Sequence, residues 1–248
     1  NKWCKNGKWY KVDGLGYEAL SEVVVSHLLR KSTITSFVLY EYEQVEIDGK
    51  IYHACVSKDF MQNDDDKVIS VERLFQAKFG QSAAKEIIKY SDVIDQMKYV
   101  NEIVQSITGL TDFGGYLKEL ITADALFLNE DRHFHNIAVI QKKDGTYRKC
   151  PIFDNGAGLL AYISLSKLKD LDTFKDYYKN NNDFNMSNDW IDFKDHVRKY
   201  CDDRQLNKLR KLDNFKFTKH PRYNLLEGRL EYLNILIDYR IKELMSLF

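Results

Sequence analysis

Closely spaced cysteines are missing from this chain. Cys4, Cys55, Cys150 and Cys201 stand far apart with no CxxC among them, which argues against a zinc knot or a disulfide scaffold and fits a reducing, cytoplasmic setting. Proline is nearly absent, at Pro151 and Pro221 only. Charge of one sign is not in excess: 37 basic residues balance 37 acidic ones at a pI near 7.1. No general attraction to nucleic acid or to an anionic membrane follows, so an acidic ligand needs a local site. No apolar run approaches the roughly 18 residues of a membrane span, and the polar start NKWCKNGK is no signal peptide. The sequence begins with Asn and enters a strand-like run at once, as an internal fragment does.

What is present is enough for a core. Of the 248 residues, 44% are hydrophobic, which supports one domain or two closely joined lobes. Asn6-Gly7, between the aromatic runs KWCK and KWYKVD, is the strongest short hairpin signal. Residues 17–32 place Leu20, Val23, Val24 and Leu28 at helical spacing. TSFVLYEYEQVEI and KIYHACVS then read as two strands joined by Asp48-Gly49. These elements predict a small sheet with one helix over 1–60. From 61 to 248 the texture is helical: VERLFQAKF, SDVIDQMKYVNEIVQSI, YLKELITADALFLNE, LSKLKDLDTFKDYYK, WIDFKDHVRKYC and the last 24 residues. One short hairpin at 137–153 interrupts it around KKDGT, and 180–188 reads as a polar loop.

The chemistry concentrates in FLNEDRHFHNIAVI, residues 127–140. Asp131 is followed five positions later by Asn136, and 18 positions after that by Asp154 in IFDNGAG. Protein kinases use that order: an Asp that orients the attacking hydroxyl, four residues, a metal-binding Asn, a short hairpin, and a metal-binding Asp. Magnesium takes hard oxygen ligands from one or two carboxylates or amides, with phosphate and water completing the shell. Side chains at the two ends of a hairpin, such as Asn136 and Asp154, meet at its base. Gly156 would permit a turn that a side chain strains. A literal Asp-Phe-Gly at Asp112, Phe113 and Gly114 precedes the Asp131 loop and opens a helix, so Thr111 or Asp112 is expected to act as its N-cap.

With these residues in hand, NEDRHFHNIAV and PIFDNGAGLL closely resemble the catalytic region of HipA-like serine/threonine kinases, relatives of the phosphatidylinositol 3/4-kinases. WYKVDGLGYEALSE resembles, more weakly, the lysine strand and following helix of the same family. The resemblance covers roughly residues 8–160. It implies an α+β, two-lobed kinase-like fold with a small β-rich N-lobe over 1–60 and a larger helical C-lobe over 61–248. It further implies ATP and Mg²⁺ as cofactors and a protein Ser/Thr acceptor, including the chain itself. By position, Lys11 would contact the α- and β-phosphates. Glu18 or Glu22 would orient it as an ion pair, with Glu18 favoured. Asp131 would orient the hydroxyl while Arg132 and His133 brace the loop, and Asn136 and Asp154 would bind the metal. The backbone of residues 56–58, Val56 and Lys58 at its ends, would face adenine as the hinge. Two departures stand out: no GxGxxG phosphate loop occurs, and the region that HipA toxins carry ahead of the kinase core is largely absent.

Three rival readings remain at this level. His133, His135, Asp131 and Asp154 would suit an N/O metal cluster of a hydrolase, although His27, His53, His196 and His220 are scattered elsewhere. A non-catalytic interaction module on the same scaffold is the second. A lipid acceptor is the third, since the relatives include lipid kinases.

Overall fold

The computed structural model describes residues 2–14, 16–61, 63–162, 193–217 and 229–247. β1 (Lys2–Lys5) and β2 (Lys8–Val12) are joined through Asn6 and Gly7 at φ 53° and 70°. A two-residue hairpin turn of matching twist demands that left-handed pair, and Asn-Gly adopts it with least strain. Asp48 and Gly49, at 51° and 76°, repeat the device between β3 (Tyr40–Ile47) and β4 (Lys50–Lys58). The four strands make one antiparallel sheet in the order β1-β2-β4-β3. α1 (Glu18–Lys31) packs against β3 and β4, burying Ala19, Val25, Leu28 and Leu29.

The strand expected from residue 35 begins only at Tyr40. Residues 36–38 have a different partner: Val38 N–H donates to Ile152 O at 2.8 Å and Ile152 N–H to Ser36 O at 2.9 Å. This short parallel bridge ties the chain beside the first sheet to the hairpin that carries Asp154.

A second sheet, ordered β5-β6-β7, is built from Lys67–Ser70, Ala138–Gln141 and Tyr147–Lys149. β6 and β7 are the expected hairpin. Gly145 takes φ 82° in its turn, and Asp144 accepts from the Thr146 N–H and hydroxyl. Local sequence does not announce β5, because its partner lies some 70 residues away.

The helical part contains α2 (Val71–Phe79), α3 (Ala83–Ile87), α4 (Val93–Thr108), α5 (Phe113–Phe127), α6 (Phe193–Tyr200), α7 (Asp203–Leu209) and α8 (Arg229–Met245). Ser70, Ser82, Asp92 and Asp202 cap α2, α3, α4 and α7 with side-chain oxygens on free N–H groups. Asp112 occupies the N-cap position of α5 but makes no cap bond. Its carboxylate pairs instead with Lys149 on β7, which corrects the capping role expected for it. The helix expected at 165–179 and the loop at 180–188 lie outside the described residues. One apolar cluster runs from Val25 and Leu28 of α1 through Phe75, Met97, Leu117, Leu126 and Phe134 to Leu236 and Ile241 of α8. Among the described residues no helix is long and apolar enough to cross a membrane.

Candidate active site

The site is assembled where α5 ends. Leu128 takes φ 53°, stopping the helix, and the chain turns at once into residues 129–136. Asp124, in the last turn of α5, is 1% exposed, and a carboxylate so deep requires a partner. Arg132 supplies it: Nε donates to Asp124 Oδ2 at 2.8 Å and Nη2 to Oδ1 at 3.0 Å, a bidentate pair. The rest of the guanidinium spans the hairpin base. Nη1 donates to Asn136 O at 3.1 Å and to Phe153 O at 2.7 Å, while Nη2 also reaches Asn155 Oδ1 at 2.9 Å. One side chain thereby fixes the backbone beside both expected metal ligands. Asn129 adds to the frame, donating to Asp124 Oδ1 at 3.0 Å and Asp154 O at 3.3 Å.

Asn136 lies at the end of a short 3-10 turn and is buried. Its Nδ2 donates to Asp131 O at 3.2 Å, which leaves Oδ1 as the acceptor it presents. Asp154 takes φ 59°, a left-handed conformation that Asp tolerates better than most residues. Glycine at 156 answers a need for space: Asp154 carries the unusual φ, whereas a Cβ on Gly156 would lie 3.0 Å from Lys11 Nζ and 3.3 Å from Glu18 Cβ.

Lys11 on β2 donates to Asp154 Oδ1 at 2.6 Å and to Glu22 Oε1 at 3.0 Å. Burial opposes its ammonium, but the two carboxylates outweigh burial and raise its pKa above the ordinary lysine value. Burial likewise works against the Asp154 carboxylate; Lys11 prevails and holds its pKa below the usual range. Glu22, fully buried, is pushed up by desolvation, which Lys11 and the Asn155 N–H only partly offset. The ion-pair partner of Lys11 is therefore Glu22 and not the favoured Glu18. Glu18 lies one turn nearer the helix start, and its Oε2 accepts from the Gly16 N–H at 2.9 Å.

The hinge also requires correction. Val56 pairs with Tyr10 on one side and Glu41 on the other, and Ser57 with Trp9 and Tyr40, while Lys58 faces Lys8. Val56 and Ser57 thus have a strand on both sides and offer no edge to adenine, whereas Lys58 is paired on one side only, at the end of the strand. The chain leaves the sheet at 59–61. There Phe60 and Met61 join Phe153, the residue before Asp154, in a small apolar cluster, with the Phe60 and Phe153 rings 6.2 Å apart.

Asp131 is exposed, and His133 Nε2 lies 3.9 Å from its Oδ1. Arg132 braces the loop. The His133 ring stands edge-on to that of His135 at 5.5 Å, and its carbonyl accepts from the Asn136 N–H at 2.8 Å. Asp124, Asn129 and Ser21 were not foreseen. Asp124 alone carried a signal, as the one charged residue in the apolar run 121–128.

Asn136 precedes β6 and Asp154 follows β7, with Arg132 bonded to the carbonyls of Asn136 and Phe153, so one hairpin base carries a carboxamide and a carboxylate, hard oxygen donors of a kind that suits Mg²⁺. The hydrolase cluster does not form: among the described residues no group of three or more His, Cys, Asp or Glu side chains is placed to hold a metal ion.

A small antiparallel sheet with one helix, a lysine of that sheet paired to the helix, and a helical part holding the Asp131 to Asp154 hairpin define a kinase-like fold. The crystal structure of a Helicobacter pylori protein described as proinflammatory kinase CtkA superposes on it with a TM-score of 0.67 at 19% identity, over 97% of this chain and 86% of that one. No protein-family model matches the chain, and no curated protein does.

Proposed function

We propose that this chain is an ATP- and Mg²⁺-dependent phosphotransferase, a HipA-like serine/threonine protein kinase that acts in the cytoplasm on a protein hydroxyl and on itself. The observation that carries the reading is the Lys11 ammonium held between Glu22 and Asp154, residues from a strand, a helix and a hairpin far apart in sequence. A half-buried cation oriented by a helical carboxylate is what a triphosphate needs in place of bulk water. The likeness to a protein described as a kinase and the four free cysteines agree with it.

In this reading Lys11 binds the α- and β-phosphates, and the base lies against Phe60, Met61 and Phe153. Asp131 orients the acceptor hydroxyl and takes its proton. Asn136 and Asp154 would hold Mg²⁺, which when bound neutralises charge on the phosphates. Arg132 keeps Asn136 and Asp154 at one place, so catalysis comes from positioning and charge rather than from a covalent intermediate.

The test is incubation with γ-labelled ATP and Mg²⁺, followed by mass spectrometry of the protein and of a cell lysate. Asp131→Asn and Asp154→Ala are expected to abolish label transfer while circular dichroism and Tm stay near wild type. Activity equal to wild type in either variant contradicts the assignment. Nucleotide binding without transfer to any acceptor identifies a non-catalytic module, and label in a lipid fraction identifies a lipid kinase.

A further inference from the structure

Arg229, the first residue of α8, is 4% exposed, and the machinery described above does not use it. Its Nη2 donates to Leu159 O at 3.1 Å and Leu160 O at 2.9 Å, and its guanidinium carbon lies 4.5 Å from the centre of the Tyr17 ring. Leu159 and Leu160 take φ 55° and 58° in succession. Two adjacent left-handed residues that are not glycine persist only where surrounding contacts over-determine them. Arg229 provides such contacts, five residues downstream of Asp154.

The same segment is the seat of α1. Tyr17 N–H donates to Ala161 O at 3.1 Å. The Ser21 hydroxyl reaches Gly158 O at 2.7 Å and Asn155 O at 3.1 Å, and Asn155 N–H donates to Glu22 Oε2 at 2.8 Å. Contact is so close at Gly16 that a Cβ there would lie 2.3 Å from Ala161 O. Glu22 therefore faces Lys11 with one oxygen and the 155–161 segment with the other.

We infer that Arg229 is a positioning residue for the Lys11–Glu22 pair: from the last helix it fixes the Leu159 and Leu160 carbonyls and the Tyr17 ring, and so holds segment 155–161 against the first turns of α1. It touches neither the acceptor nor the phosphates. The consequence for turnover rests on the phosphotransferase reading; the coupling itself does not, and it is read without nucleotide.

The experiment is hydrogen–deuterium exchange of the full chain without nucleotide, followed in peptides covering residues 155–161 and the first turns of α1, with α4 as reference. Loss of the Leu159 and Leu160 contacts frees the segment that holds Glu22 through the Asn155 N–H, so Arg229→Met is expected to exchange there roughly tenfold faster than wild type. Arg229→Lys, which keeps the cation over Tyr17 with a single donor centre, is expected to fall between, and α4 to be unchanged. An unchanged rate at 155–161 and α1 in Arg229→Met, or those peptides and α4 rising together, overturns the inference. Should Arg229→Met fail to fold, Arg229→Lys decides alone: faster exchange at 155–161 and α1 with α4 unchanged supports the coupling, and a wild-type rate overturns it.

Discussion

Glu18 and Glu22 share a face of α1 and a functional group, yet their carboxylates end at different partners. Glu22 bridges Lys11 and the Asn155 N–H, whereas Glu18 caps the chain at Gly16. Glu22→Gln removes the charge that orients Lys11 and is expected to lower label transfer by about 10²-fold, with Glu18→Gln within a few-fold of wild type. Equal losses would mean that the pair has no special role. Glu130, next to Asp131, offers a pH test. Burial pushes its pKa up to about 7, above its unfolded value near 4.3. A carboxyl raised on folding favours the folded state while protonated, and that contribution disappears as pH rises from the unfolded value through about 7. Glu130→Gln is therefore expected to raise Tm at pH 8, with the gain shrinking toward pH 4; a gain independent of pH would show that burial of its charge is not the cause.

Among the elements, the Asp131 loop and the β6–β7 hairpin depend on Arg132. The Asp124–Arg132 pair is 1% exposed on each side, and removing one partner of such a pair leaves the other charge buried and uncompensated. Asp124→Asn is expected to cost about 3 kcal/mol in urea unfolding, in the range measured for broken buried pairs; a cost below 1 kcal/mol would mean that Asn129 and Asn155 hold the loop without it. The three hairpin turns were legible because Asn6-Gly7, Asp48-Gly49 and Asp144-Gly145 are local chemistry with one dominant backbone solution. The placement of Asn136 and Asp154 at the two ends of the β6–β7 hairpin was legible because the turn between them is local chemistry; the roles of Asp131, Asn136 and Asp154 belong to the proposed function. β5 and the Ser36 to Val38 bridge were not, since each pairs with a segment distant in sequence. Nor was the choice of Glu22, because two glutamates one turn apart differ only in how deeply the helix seats them. Val56 was misplaced as a hinge residue for a related reason: an apolar run shows that a strand exists, not that both of its edges are taken there.

At the scale of the molecule, Lys11 and Asp154 are 143 residues apart and come from the first sheet and from the hairpin of the helical part. The Phe37–Ile152 bridge and segment 155–161 make further links between the same two regions. A ligand that engages Lys11 on one side and Asn136 and Asp154 on the other adds bonds across that junction and must stabilise the whole chain. At ATP a hundredfold above its Kd, mass action contributes about 2.7 kcal/mol. At roughly 2–4 °C per kcal/mol for a chain of this size, Tm is expected to rise by about 5–10 °C with Mg-ATP. If Asn136 and Asp154 hold the metal as proposed, the junction is closed through it as well as by Lys11, so EDTA is expected to remove most of the rise, and Asp154→Ala to abolish it even in excess Mg²⁺. A rise that survives both treatments would put the nucleotide somewhere other than between Lys11 and the hairpin base, and the assignment of Asp154 to the metal would fail with it.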